Sequence, residues 1–129
     1  MFFRYNLPAI VWSVIILVLT LSPRVYVPKE LSWNLVRGDL FAHAFLFAVL
    51  VFLLMIGFTK GQSNNGIQTN AAYLAIAIAA IFGIVIEVLQ GFIPERSFEY
   101  LDMAANTMGA FLGWGVFTIG KTLMKKNNR

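Results

Sequence analysis

Residues 40–59 read LFAHAFLFAVLVFLLMIGFT, twenty positions with one histidine and no Asp, Glu, Lys or Arg, bounded by Asp39 and Lys60. A helix rises about 1.5 Å per residue, so such a stretch covers about 30 Å, the hydrocarbon thickness of a bilayer. In lipid, backbone N–H and C=O groups must be paired within the segment, and this stretch therefore reads as a membrane helix.

The same pattern recurs on both sides of it. Nineteen residues between Arg4 and Arg24, 26 between Lys60 and Glu87, and 18 between Asp102 and Lys121 also lack Asp, Glu, Lys and Arg. Four windows of this size predict four spans, at about residues 7–22, 39–58, 70–92 and 101–123, with Pro23 and Pro94 stopping the first and third. Residues 23–38, 59–69 and 93–100 are then loops, and Lys60-Gly-Gln-Ser-Asn-Asn-Gly in the second has turn composition. The expected fold is all-α: one polytopic membrane domain over residues 1–129, a four-transmembrane-helix bundle.

Composition agrees. The 129 residues are 59% hydrophobic and 12% charged, against about 25% charged in a soluble domain. Mean hydropathy is +0.75. Disorder needs the opposite balance, and a chain without cysteine is no disulfide scaffold. The first apolar run exceeds a signal peptide's core of about 7–15 residues and has no A-x-A-like site, so it reads as a retained anchor. Arg4, Lys60, Lys121, Lys125, Lys126 and Arg129 flank one side, against Arg24, Lys29, Arg37 and Arg96 on the other. That bias predicts a multi-pass protein of the plasma or inner membrane with both termini cytoplasmic. The basic residues are span flanks, so the pI near 9.7 implies no nucleic-acid partner.

Polar residues in and beside the spans carry the functional signal. Asp39 and His43, and Asp102 and Asn106, are spaced i,i+4; Glu87 and Gln90 are i,i+3. Each pair shares a helix face. Gly109 and Gly113 continue the stripe of the last span as a G-x-x-x-G, so its polar face is also its packing face. Chain direction sets Asp39, Gln90 and Asp102 near one membrane surface and His43, Glu87 and Asn106 one turn deeper. Arg24 and Arg96 cap that surface, and the opposite end has nothing comparable. Ionisable groups are costly in hydrocarbon and face a partner or a wet cavity. The alternatives are helix-bridging glue and a functional cavity.

Gly38-Asp39-Leu40-Phe41-Ala42-His43, then Glu87-Val88-Leu89-Gln90-Gly91-Phe92-Ile93-Pro94-Glu95-Arg96, then Asp102-Met103-Ala104-Ala105-Asn106-Thr107-Met108-Gly109 occur in that order. This succession resembles the VanZ-like family of small integral membrane proteins, with D-K-x-x-H, E-x-x-Q-x-F-x-P-x-R and D-x-x-x-N-x-x-G. Leu40 departs from it, standing at the family's usual lysine; any anion-binding role of that lysine would pass to Arg37. The resemblance implies a bacterial cell-envelope membrane protein, linked through the family's namesake to resistance to the glycopeptide teicoplanin. It implies a site of Asp39, His43, Glu87, Gln90, Arg96, Asp102 and Asn106.

Three functions remain open. An envelope lipid or lipid-linked cell-wall intermediate could be bound or modified, with His43 and Glu87 as acid and base and Arg96, Arg24 and Arg37 on phosphate. Asp39 and Asp102 would orient partners, and Gln90 and Asn106 would bridge helices. Asp39, His43, Glu87 and Asp102 could ligate a metal, although one His and no Cys argue against tight zinc, and no metal or cofactor is expected. An oligomer could conduct protons or ions, although residues 49–56 and 74–81 are apolar. Ser22 and Ser97 lie outside any G-x-S-x-G, and no phosphate-binding glycine loop is present.

Overall fold

A computed structural model describes residues 2–22, 29–60, 65–94, 96 and 98–129, with the side chains of residues 2, 29–37 and 65 excepted. The described residues form five helices and no strand: α1 (Phe2–Leu21), α2 (Lys29–Lys60), α3 (Asn65–Thr69), α4 (Ala71–Gln90) and α5 (Tyr100–Asn127). The all-α expectation holds. Arg24, Ser97 and Pro23 lie outside the described residues, as does the side chain of Arg37.

Three helices have segments long and apolar enough to cross a membrane: Phe3–Leu21, Gly38–Lys60 and Ala71–Gln90. They match the first three expected spans. α5 is longer, at 28 residues, but Asn106, Thr107, Thr118 and its glycines dilute it, and it is less apolar than those three segments.

Helix ends differ from the hydropathy boundaries in a consistent way. α1 begins at Phe2 and runs through Pro8, although the apolar run was expected to open at residue 7. α2 continues back to Lys29, through residues expected in a loop, and α3 forms within the expected loop 59–69. Hydropathy registers where lipid ends, whereas a helix propagates past that point by adding one hydrogen bond per residue.

Each helix buries one narrow stripe. In α4 it is Ala71, Ala75, Ala79, Gly83, Ile86, Glu87 and Gln90, and in α5 it is Asp102, Ala105, Asn106, Gly109, Ala110 and Gly113. α1 buries Asn6, Ala9, Ile16 and Thr20. Large apolar side chains meanwhile point outward, among them Leu7, Val14 and Val18 of α1, Ile81 and Val88 of α4, and Phe111, Val116 and Ile119 of α5. Small residues along the contact stripes of α4 and α5, with large apolar residues facing outward, is the arrangement expected when the surrounding solvent is lipid.

α2 is central: it touches every other helix, most extensively α5. Phe47, Leu50, Val51 and Leu54 fill the middle of the bundle. A Cβ on Gly109 would come within 2.9 Å of the Ala44 Cα, and one on Gly113 within 3.0 Å of the Ala48 Cα. The G-x-x-x-G therefore lays α5 directly on the backbone of α2. Phe52 and Phe117 continue that contact with ring centroids 5.9 Å apart. The pairs 44/109, 48/113 and 52/117 keep one offset, so α5 runs parallel to α2.

α1 runs antiparallel to α2. Asn6 packs beside Gly57 near one end, and the Trp12 indole N–H donates to the Leu46 carbonyl at 2.9 Å farther along. Asn6 also corrects the expectation that the end opposite the acids is bare: it is a buried polar residue there. It lay just outside the span boundary assigned from hydropathy.

Candidate functional site

The C-termini of α1 and α4, the N-terminus of α5 and the Asp39–His43 turn of α2 meet at one end of the bundle. His43, Glu87, Gln90, Asp102 and Asn106 are all buried there, none more than 4% exposed, and Asp39 is partly buried. Burial of six polar side chains in so apolar a chain requires mutual pairing, because an isolated buried charge or amide is costly.

The pairing sorts them into two neighbouring groups. In the first, α2 and α5 lie side by side and place His43 between Asp102 and Asn106. The His43 Nδ1 is 2.9 Å from the Asn106 Oδ1, and its Nε2 is 3.7 Å from the Asp102 Oδ2. Asp39 stands one turn from His43 on the same face. Ligand atoms of Asp39, His43 and Asp102 all lie within 4.8 Å of one another. The i,i+4 spacings Asp39–His43 and Asp102–Asn106, laid on two parallel helices, generate this square of residues.

Glu87 enters the group from α4. Gly83 of that helix faces Asn106 and Phe47, where an added Cβ would meet them at 3.2 and 3.3 Å. One turn farther along α4 is Glu87; one turn back along α5 is Asp102. The Glu87 Oε2 accepts a long hydrogen bond, 3.4 Å, from the Glu99 backbone N–H at the start of α5. Its carboxylate also interacts electrostatically with Asp102 and His43. The Glu87 Oε1 and the Asn106 Nδ2 are buried without a hydrogen-bond partner among the described residues.

The second group is centred on an atom that residue patterns do not single out, the backbone carbonyl of Thr20. The Gln90 Nε2 donates to it at 2.8 Å and the Arg96 Nη1 at 2.6 Å. Thr20 lies in the last turn of α1, where carbonyls have no partner within the helix. Such a carbonyl buried among apolar helices needs a donor from elsewhere, and α4 and the segment after it supply two. Arg96 also sets its positive charge at the negative end of the α1 dipole. The Arg96 Nε is buried without a partner among the described residues.

Of the seven expected site residues, Asp39, His43, Asp102 and Asn106 are joined, Glu87 stands beside them, and Gln90 and Arg96 are gathered on α1. Gln90 links α4 to the main chain of α1. The Ser22 hydroxyl is exposed and donates to the Val18 carbonyl of its own helix, so it is no poised nucleophile.

No curated protein and no solved structure matches this chain. The family model described as VanZ/LLP1 matches residues 3–121, which contain all seven of these residues and most of every long helix. With three apolar helices of membrane-spanning length and that match over nearly its whole length, the chain is a membrane protein that belongs to the VanZ/LLP1 family.

Proposed function

We propose that this protein binds the phosphate-bearing head group of an envelope lipid, or of a lipid-linked cell-wall intermediate, at the extracytoplasmic end of a four-span bundle. α5 is the fourth span: its parallel register with α2 carries it alongside a spanning helix from Asp102 to Phe117. An up-down-up-down course puts both termini on one side and the polar end on the other, and the basic flanks assign the termini to the cytoplasm.

The observation that carries the reading is the grouping of His43, Asn106, Asp102, Asp39 and Glu87 with a half-buried Arg96 at one end of the bundle. Arg96 is the anion contact. One of its nitrogens is engaged by Thr20, and other donors of its guanidinium fork can meet phosphate. His43 and Glu87 are the proton-sharing pair that would act if a reaction occurs. Altered access of glycopeptides such as teicoplanin to cell-wall intermediates is the proposed cellular consequence.

The test compares a deletion strain complemented with the wild type, Arg96→Ala or Glu87→Gln for glycopeptide susceptibility and lipid composition. Loss of complementation in either trait supports the reading. Variants indistinguishable from wild type in both traits overturn it.

A second reading keeps the cluster purely structural. Its support is specific: Gln90 and Arg96 both hold the end of α1. It predicts that Arg96→Ala lowers the amount of folded protein in proportion to any loss of phenotype.

A further inference from the structure

We propose that Asp39, His43 and Asp102 hold a divalent transition-metal ion at the polar end of the bundle, with Glu87 beside it. Four observations converge.

The first is geometric: one atom from each of the three side chains lies within 4.8 Å of the others. Nitrogen and oxygen ligands at about 2.0–2.2 Å from an ion, spread at tetrahedral angles, sit about 3.3–3.6 Å apart, so the site closes with side-chain shifts of about an ångström.

The second is the orientation of the imidazole. The Asn106 Oδ1 is an acceptor, so the His43 Nδ1 carries the hydrogen that points to it. In the neutral ring the lone pair is then on Nε2, which faces a carboxylate oxygen at 3.7 Å. A cation between the two would bind both lone pairs. An outer partner that fixes the tautomer of a ligating histidine is a recurrent part of metal sites.

The third is Glu87. It is fully buried, its side chain reaches the start of α5 beside Asp102, and its Oε1 has no hydrogen-bond partner among the described residues. A buried carboxylate left in this state is costly, and a neighbouring dication offsets that cost.

The fourth is the donor set. One imidazole with carboxylates suits manganese, iron or zinc, and a chain with no cysteine offers no thiolate site.

The site thus departs from the expectation of no metal. It uses neither Arg96 nor Gln90, so it stands whether or not a lipid binds; with the ion bound, His43 is a ligand and Glu87 alone is left to move a proton. A dication would also offset most of the negative charge that this acidic pocket presents to a phosphate head group.

The experiment uses the full chain in detergent micelles, stripped with chelator and then titrated. Mn²⁺ is followed by electron paramagnetic resonance and Zn²⁺ by calorimetry against a competing chelator. One saturable ion per chain is expected. His43→Ala and Asp102→Asn should each weaken binding at least about tenfold, and Asn106→Ala about 10–100-fold through the lost orienting bond. Thr122→Ala, at the other end of α5, should bind as wild type does. X-ray absorption on the loaded wild-type protein should show a single imidazole among oxygen ligands, a readout independent of whether the variants fold. Absence of a saturable ion, or a loaded site without imidazole scattering, overturns the proposal.

Discussion

At the residue scale, the site divides by which atoms do the work. Asp39, His43, Glu87, Asp102 and Asn106 act through their side chains, and their spacings were enough to put them on common faces. Thr20 acts through its main-chain carbonyl, which every residue type possesses, so no pattern of residue identities marks it. The usable signal is positional: a helix end inside an apolar bundle leaves carbonyls that need donors. Gln90 and Arg96 meet that need, and removing the Gln90 amide leaves only the guanidinium on Thr20. Gln90→Met keeps the volume and deletes the donor. We expect it to lower unfolding free energy by about 0.6–2 kcal/mol, the range for hydrogen bonds between membrane helices. The measurement is unfolding in mixed micelles, and stability equal to wild type would show that the bond contributes nothing.

At the element scale, α2 and α5 show what a short motif does and does not reveal. Gly109 and Gly113 announced close helix approach, but not the partner, because any neighbouring helix could have filled the groove. The partner follows from α2 presenting small residues, Ala44 and Ala48, at the same four-residue interval. The unequal demand on the glycines of α5 is a direct prediction. Gly109→Val forces its side chain onto the Ala44 carbonyl and should cost about 1–3 kcal/mol, as overpacking does. Gly115→Ala and Gly120→Ala meet nothing within 4 Å and should leave stability unchanged or raise it by up to about 1 kcal/mol. Thermal unfolding of the three variants in one detergent checks the order. A Gly109→Val protein as stable as Gly115→Ala would mean that α5 does not lie on α2 as described. The helix ends were less legible than this packing stripe, because charge marks the lipid boundary while α2 continues past it to Lys29.

At the scale of the whole molecule, the open question is how many times the chain crosses the membrane. Charge-free windows favour four crossings, whereas helix hydropathy secures three, in α1, α2 and α4. The difference is α5, whose buried face carries Asp102, Asn106, Gly109 and Gly113, which lower its average without touching lipid. Hydropathy averages over the helix circumference and penalises a span whose inner face builds a site. The exposed face of α5 carries Phe111, Leu112, Val116, Ile119 and Leu123, as that of α1 carries Leu7, Val14 and Val18. The chain lacks cysteine, so single cysteines can report sidedness without a background. Phe92→Cys lies at the polar end, Gly66→Cys between α2 and α4, and Asn128→Cys after α5; all three positions are exposed. Four crossings with cytoplasmic termini predict that a membrane-impermeant maleimide labels Phe92→Cys in intact cells. Gly66→Cys and Asn128→Cys should react only after permeabilisation. Labelling of Asn128→Cys together with Phe92→Cys would mean that α5 does not cross, and that the polar cluster lies against a helix packed on three spans.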